Sequence, residues 1–213
     1  GWVTQGPRVQ EFEEKFAVYT GAKYAVALSN CTTALHLAMI VAGIKAGDEV
    51  ICPSMSYVAT ANSIKYVGAT PVFAEVNKYF NLDVEDVTKK ITPKTKAILL
   101  VHQIGMPADI DTFKQFCEEK GLKLIEDAAC AAGSSYKGQK IGSHSDLVCF
   151  SFHPRKVITT GDGGMITTSN EAYYKRIKLL RQHAMSVNDR ERHSANKIIF
   201  EDHLEVGYNY RMT

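Results

Sequence analysis

The sequence lacks the features that mark membrane, secreted and nucleic-acid-binding proteins. Its 213 residues contain no apolar run long enough to cross a bilayer, and no basic stretch followed by an apolar one opens the chain as given. The 25 Lys and Arg residues nearly balance the 23 Asp and Glu residues, leaving a net charge of +2. This balance gives no electrostatic case for nucleic acid or an acidic membrane surface as a partner. We expect a soluble globular chain.

Metal, disulfide and nucleotide motifs are also missing. The five cysteines are odd in number, scattered and without a C-x-x-C pair, which argues against a zinc site or a disulfide framework and favours a reducing cytoplasm. No G-x-G-x-x-G fingerprint occurs, and residues 133–138, the nearest approach to a P-loop, lack the Lys-Ser/Thr ending. These absences weigh against a nicotinamide enzyme and a nucleoside triphosphatase.

What the sequence does contain is a regular alternation of helical and strand patterns. Helices are predicted at 7–20, 34–42, 59–67, 83–90, 112–120 and 171–181. Strands rich in Val, Ile and Leu are predicted at 24–28, 49–52, 70–75, 97–101, 123–126, 147–150 and 165–168. The pattern predicts a three-layer α/β/α fold with a mostly parallel central sheet. From 182 to 205 the periodicity fades and charge rises, which predicts a mobile surface loop.

Ligands of such sheets bind at the carboxyl ends of the strands, so the residues that follow each strand are the first candidates for ligand binding. Residues 29–33 combine small and hydroxyl side chains at the start of a helix. There, free backbone N–H groups and the hydroxyls of Thr32 and Thr33 could cradle a phosphate. An ordinary Ser/Thr helix cap explains the same residues.

Two other strand ends carry candidate ligand-binding groups. Glu126 and Asp127 close an apolar strand, so a carboxylate is expected in a confined site that requires a cationic partner. A protonated heteroaromatic nitrogen and a structural arginine both fit that role. Tyr57 follows the strand at 49–52 and could either lie over a flat ligand or pack in the core. His102 and His153 also stand near strand ends, where a lone histidine is more often structural.

The stretch 150–164 contains a single lysine, Lys156, between a predicted strand and a glycine-rich turn. Its neighbours Val157 and Ile158 are apolar, and a lysine amine kept out of water is a nucleophile toward carbonyl groups. A surface lysine on a loop is the alternative that this window alone leaves open.

Taken together, several motifs in this order resemble one family. The chain resembles the pyridoxal-phosphate (PLP)-dependent sugar-nucleotide aminotransferases of the DegT/StrS type, which have the aspartate aminotransferase (fold type I) architecture. The resemblance spans essentially the whole chain, at residues 6–13, 34–38, 47–51, 57–60, 68–72, 95–98, 126–129, 151–164 and 207–213. It implies amino transfer, with glutamate as the expected donor, onto a keto sugar of a nucleoside diphosphate, a 4-keto-6-deoxyhexose above all.

The resemblance also implies roles for individual residues. Lys156 would be the catalytic residue, binding the PLP aldehyde covalently and later moving a proton between the amino-acid Cα and the cofactor C4′. Asp127 would pair with the pyridinium nitrogen, and Tyr57 would stack on the ring. Cys130 stands where the family commonly has a Gln or His that contacts the phenolic oxygen of PLP.

Four further residues are implied in binding the 5′-phosphate, and a fifth lies in the loop that would surround it. Thr32, Thr33 and Ser151 would bind it within the chain, whereas Asn209 would reach the phosphate of a neighbouring subunit, so that a homodimer shares its active sites. Cys31 departs from the family, which usually has glycine there.

Relatives of this type continue into a smaller C-terminal domain. We therefore expect residues 1–213 to be the PLP-binding large domain with its N-terminal segment, a fragment of a longer protein that lacks the small domain. A PLP-binding or regulatory module without turnover, or another fold-type I PLP enzyme, is the alternative function.

Overall fold

A computed structural model describes residues 5–187 and 199–212. The helices are α1 (Pro7–Thr20), α2 (Cys31–Val41), α3 (Val58–Tyr66), α4 (Val84–Lys90), α5 (Ile110–Lys120) and α6 (Glu171–Leu180). The strands are β1 (Tyr24–Leu28), β2 (Glu49–Pro53), β3 (Thr70–Ala74), β4 (Thr95–Val101), β5 (Lys123–Asp127), β6 (Ser135–Tyr136), β7 (Gln139–Lys140), β8 (Leu147–Ser151) and β9 (Gly164–Thr168). Among these residues no helix combines the length and apolar character needed to cross a bilayer.

Seven strands form one sheet in the order β1-β9-β8-β5-β4-β2-β3. The pairs β2–β3, β2–β4, β4–β5 and β5–β8 are parallel, whereas β9 runs antiparallel to both of its neighbours. The prediction of a mostly parallel sheet is therefore confirmed, with β9 as its antiparallel exception.

Helices cover both faces of this sheet and give two apolar cores. One core contains residues of α2, α3 and α6, and the other contains residues of α1, α4 and α5. Because β4 and β8 are buried on both faces, their sequences are mostly apolar, whereas the equally buried β5 ends in the carboxylates Glu126 and Asp127. The predicted three-layer α/β/α architecture is confirmed.

Helix boundaries follow local capping chemistry. α1 starts at Pro7 and ends where Gly21 adopts a left-handed φ of 75°. α2 starts at Cys31, three residues before the predicted start, because the Asn30 side chain caps it by accepting the Thr33 N–H. Short elements were not predicted: the β6–β7 hairpin and the 3₁₀ turn Gln103–Gly105 are too brief to produce a periodic pattern.

The predicted mobile loop at 182–205 falls partly on residues 188–198, which lie outside the described residues. Its described ends are attached to the body of the fold. Isolated bridges join Met185 to His203 and Gln182 to Asn209, and Ala184 is fully buried.

The edge strand β1 is closed by a buried ion pair. Glu13 of α1 and Arg181, directly after α6, form a very short hydrogen bond, and both are nearly inaccessible to solvent. Glu13 also accepts the Ala27 N–H at 2.9 Å, and Arg181 donates to the Ala27 carbonyl at 2.8 Å. The pair therefore satisfies edge groups of β1 that would otherwise lack partners and fastens α1 and α6 to it.

Glu13→Ala is expected to lower the free energy of unfolding by roughly 3–5 kcal/mol, because Arg181 would remain buried without a counter-charge. The exposed neighbour Glu14 offers a matched control, whose Ala variant should stay within about 0.5 kcal/mol of the parent. Urea denaturation measures both. A loss for Glu13→Ala no larger than that of the control would contradict the structural importance of the pair.

Candidate functional site

The carboxyl ends of β1, β2, β4, β5 and β8 open into one cavity of about 690 Å³. Seven of the eight residues that the family resemblance assigned to the cofactor line this cavity: Thr32, Thr33, Tyr57, Asp127, Cys130, Ser151 and Lys156. The eighth, Asn209, does not. Residues far apart in sequence meet here because parallel strands end at the same edge of the sheet.

Asp127 lies at the floor of the cavity at the end of β5. Its carboxylate accepts the Thr60 hydroxyl at 2.9 Å and the Ala129 N–H at 3.1 Å. Burial raises the pKa of this carboxyl, partly offset by those hydrogen bonds and by the Lys156 amine. No arginine or lysine among residues 5–187 and 199–212 forms an ion pair with it, so none of these residues is the structural arginine. A cationic group entering the cavity would find an acceptor already in place.

The first turn of α2 forms another wall of the cavity. Thr33 is committed to the helix cap: its N–H donates to the Asn30 side chain at 2.9 Å, and its hydroxyl donates to the Asn30 carbonyl at 2.8 Å. The N–H groups of Cys31 and Thr32 have no acceptor within the helix. An anion at this position would therefore be held by those two groups and the Thr32 hydroxyl, with Thr33 shaping the turn.

Lys156 reaches the cavity from the segment that follows β8. Its Nζ lies 3.2 Å from the Cys130 sulfur, and both residues are half-buried. The apolar neighbours do not bury it: Val157 is 75% exposed and Ile158 is 45% exposed, because residues 152–163 form turns instead of an apolar strand. That part of the sequence-based argument is wrong, and the cavity walls provide the partial burial of the lysine instead.

Two other lining residues differ sharply in exposure. Tyr57 is the N-cap residue of α3 and is 73% exposed, so it does not pack in the core and its ring is accessible to a flat ligand. Ser151 is buried at the end of β8, where its hydroxyl accepts the His153 N–H at 3.4 Å.

The close approach of β9 to α2 depends on Gly164. A Cβ atom there would lie 2.3 Å from the Asn30 backbone. The glycine-rich stretch thus lets the strand pass beneath the first turn of α2.

Asn209 points away from the cavity of its own chain. It is exposed, and its side-chain oxygen accepts a hydrogen bond from Arg211 at 3.0 Å. The neighbouring Tyr210 faces inward, where its hydroxyl lies 3.0 Å from His36 Nδ1 on α2. This alternation of side-chain directions presents Asn209 to the outside.

Thr60 is the functional candidate that sequence reasoning missed. Since its hydroxyl donates to Asp127, the Ser56 hydroxyl 2.7 Å away must donate to Thr60. Thr60 follows Tyr57 by three residues on the first turn of α3, a helical spacing that places both on one face. The three-residue spacing between Tyr57 and Thr60 is the sequence signal that could have identified Thr60 as a site residue.

Asp127→Asn replaces the carboxylate with a neutral group of the same shape. Burial raises the folded-state pKa of Asp127 above its unfolded value of about 4, so the ionised group destabilises the ligand-free fold at neutral pH. The variant should therefore unfold at higher urea concentration. This advantage is complete above the folded-state pKa, declines as pH falls below it, and is absent below the unfolded-state pKa of about 4, where Asp127 is neutral in both states. Urea titrations at neutral and acidic pH check this, and equal stability at neutral pH would contradict it.

Comparisons with known proteins agree with this geometry. The model of the DegT/DnrJ/EryC1/StrS aminotransferase family matches residues 1–213. The GDP-perosamine synthase of Caulobacter vibrioides is 45% identical over 214 residues, a match covering 100% of this chain and 55% of that protein. The chain thus spans about half the length of the curated relatives it matches.

Solved structures share the fold. The protein Spr1654 of Streptococcus pneumoniae, solved in its PLP form, superimposes with a TM-score of 0.90 at 33% identity, covering 100% of this chain and 57% of that one. DesI, solved in the presence of its TDP-sugar product, gives 0.85 at 34% identity, covering 99% and 51%. The fold expected from the motifs is confirmed, and this chain belongs to the DegT/DnrJ/EryC1/StrS aminotransferase family.

Proposed function

We propose that the protein containing this chain is a PLP-dependent aminotransferase that moves an amino group, from glutamate, onto the keto sugar of a nucleoside diphosphate. The observation that carries the proposal is the convergence of Lys156 and a buried, unpaired Asp127 in one cavity. An amine for an aldehyde and a carboxylate for a cationic ring are the two groups that PLP chemistry requires of the protein.

The residues of the cavity fit the cofactor. Asp127 would accept a hydrogen bond from the protonated ring nitrogen, which supplies the cation that its buried carboxylate lacks. Thr32 and Ser151, with the free N–H groups of the α2 first turn, would bind the phosphate, and Thr33 would hold that turn in shape. Tyr57 would stack on the ring, for which its exposure leaves room.

When bound, PLP supplies an aldehyde and an electron-accepting ring. The Lys156 Nζ would hold the cofactor and would move the proton between the amino-acid Cα and the cofactor C4′. Asp127 would keep the ring nitrogen protonated, and Thr60, whose hydroxyl donates to Asp127, would hold that carboxylate in orientation. Cys130 contacts Lys156, and the family resemblance implies that its position lies near the phenolic oxygen of PLP.

The substrate class follows from the relatives. One is a GDP-perosamine synthase and another was solved with a TDP-sugar product, so a keto group on a nucleotide-linked sugar is the shared feature. A 4-keto-6-deoxyhexose is the acceptor we propose, with the amino sugar used for polysaccharide biosynthesis. The base of the nucleotide differs between these two relatives.

We also propose that the protein is a cytoplasmic homodimer with shared active sites. Asn209 is exposed and lies outside the cavity of its own chain, which supports a role at the phosphate of a partner subunit. The apolar residues Val58 and Ile104, 58% and 83% exposed, lie beside cavity-lining Tyr57 and Gln103 and offer surface for such a contact.

Lys156→Ala in the full-length protein is expected to abolish covalent attachment of PLP and to lower amino transfer by at least about a thousandfold. Borohydride reduction followed by peptide mass spectrometry should find the cofactor on Lys156 in the parent and nowhere in the variant. The exposed Lys114, outside this cavity, gives the matched control Lys114→Ala, which should be labelled at Lys156 and active. Labelling of a different lysine in the parent would refute the assignment, and bound cofactor without transfer to any keto-sugar nucleotide would favour a non-catalytic binder.

Complementation tests the shared site. Asn209→Ala and Lys156→Ala subunits should each be inactive or weakly active alone. After mixed refolding or co-expression they should regain about a quarter of the parent activity, because half of random dimers are mixed and each holds one intact site. No gain above the separate variants would show that Asn209 does not act across the interface.

A further inference from the structure

A histidine–glutamate pair lies fully buried behind the cavity and has no part in the chemistry described so far. Glu126 is the next-to-last residue of β5, and His102 directly follows β4. His102 Nε2 lies 2.7 Å from Glu126 Oε2, and neither side chain has any solvent exposure. Burying two such polar groups costs free energy unless they form hydrogen bonds with each other or stabilise a neighbouring site.

The hydrogen-bond network fixes where the proton of this pair resides. His102 Nδ1 accepts the Ala108 N–H at 3.1 Å, so the ring carries its proton on Nε2 and donates it to Glu126. The Nε2–H donor 2.7 Å from Oε2 favours the ionised form of the Glu126 carboxylate, because a hydrogen bond donated to a charged oxygen stabilises that charge. The pair therefore consists of a neutral imidazole and an ionised carboxylate, and it carries one buried negative charge.

The pair is built into the backbone that presents Asp127. The His102 N–H donates to the Asp127 carbonyl at 3.0 Å, and the next N–H, that of Ala128, donates to the Cys149 carbonyl at 2.8 Å. Since side chains alternate along a strand, the Glu126 and Asp127 carboxylates lie on opposite faces of β5. Asp127 faces the cavity, with the Glu126 charge directly behind it.

The titratable groups facing the pair come from several elements. They are Asp127 on β5 and Cys149 on β8, with Cys31 and Lys156 on the cavity side of Asp127. Burial, with Asp127 and Glu126 nearby, raises the pKa of the Cys149 thiol, so that group stays neutral. No described lysine or arginine forms an ion pair with Glu126. Among the described residues, the charge of the Glu126 carboxylate therefore has no lysine or arginine to neutralise it. The surrounding protein interior has a low dielectric constant and screens this charge poorly.

We propose that Glu126, held by His102, is a positioning residue for Asp127: it fixes the end of β5 and supplies a second negative charge that favours a protonated heteroaromatic ring in the cavity. This inference rests on the proposed PLP function. It assigns Glu126 no contact with the cofactor, since the carboxylate lies on the opposite face of the sheet.

Glu126→Gln tests the charge while preserving side-chain shape. The full-length variant, loaded with PLP carrying ¹⁵N in the ring, should lose its ring proton at a pH lower by about one unit, as expected for a buried charge near a titrating group. Its affinity for PLP, measured by fluorescence titration, should fall about tenfold, the same free-energy change expressed in binding. Glu118→Gln, on the exposed surface of α5, is the matched charge deletion and should leave both quantities unchanged. If Glu126→Gln lost its ring proton at the same pH as the parent and bound PLP with the same affinity, the proposal would be overturned.

Two histidine variants keep the test decisive should Glu126→Gln fold poorly. His102→Gln places an amide donor near the Nε2 position and should keep the carboxylate ionised, with a ring titration close to that of the parent. His102→Asn retains an acceptor for the Ala108 N–H but removes the donor to Glu126, which should then take up a proton and reproduce the one-unit shift. Identical ring titrations for the two variants would overturn the proposal.

The outcomes separate this inference from the proposed function. A parent protein that binds no PLP, or binds it with an unprotonated ring, would refute the function itself. A parent with a protonated ring that is insensitive to Glu126 would refute only the inference. A loss of thermal stability in Glu126→Gln without a change in ring titration would assign the pair a purely structural role and likewise overturn it.

Discussion

Burial of the Asp127 carboxylate, with no basic ion-pair partner in the described part of the chain, is the constraint on which the rest of the site depends. Two hydrogen-bond donors, Thr60 and the Ala129 N–H, hold it but do not neutralise it. A charge in that position raises the free energy of the ligand-free fold and becomes favourable only when a cation enters the cavity. The buried charge lowers the stability of the ligand-free fold, and a positively charged ring restores it on binding. The site is therefore selective for such a ring.

The sheet around Asp127 makes this arrangement rigid. β4, β5 and β8 are packed on both faces, so the carboxylate stands on the least deformable part of the fold. The groups that would bind the rest of the cofactor come from a helix start and from turns, which are easier to vary. Lys156, on the turn segment after β8, is half-buried although its neighbours Val157 and Ile158 face solvent.

Much of the fold could be predicted from the sequence because its elements carry strong local signals. β1 was located to the residue, and α1 is bounded by Pro7 and Gly21, whose backbone preferences are intrinsic. The early start of α2 was missed because it depends on the Asn30 side chain, and a capping hydrogen bond leaves no periodic pattern. The hairpin β6–β7 was missed because two-residue strands are too short to show alternation.

The sequence alone determined the order of strands and helices, the family resemblance and the residue types at the strand ends, because these depend on local patterning and short motifs. Only the tertiary structure decided that Asp127 has no arginine partner among the described residues, that Thr33 is used by the helix cap, and that His102 and Glu126 form a hydrogen-bonded pair. Each of these facts depends on distances between segments far apart in the chain. Such distances are set by the packing of the whole sheet, and no local pattern encodes them.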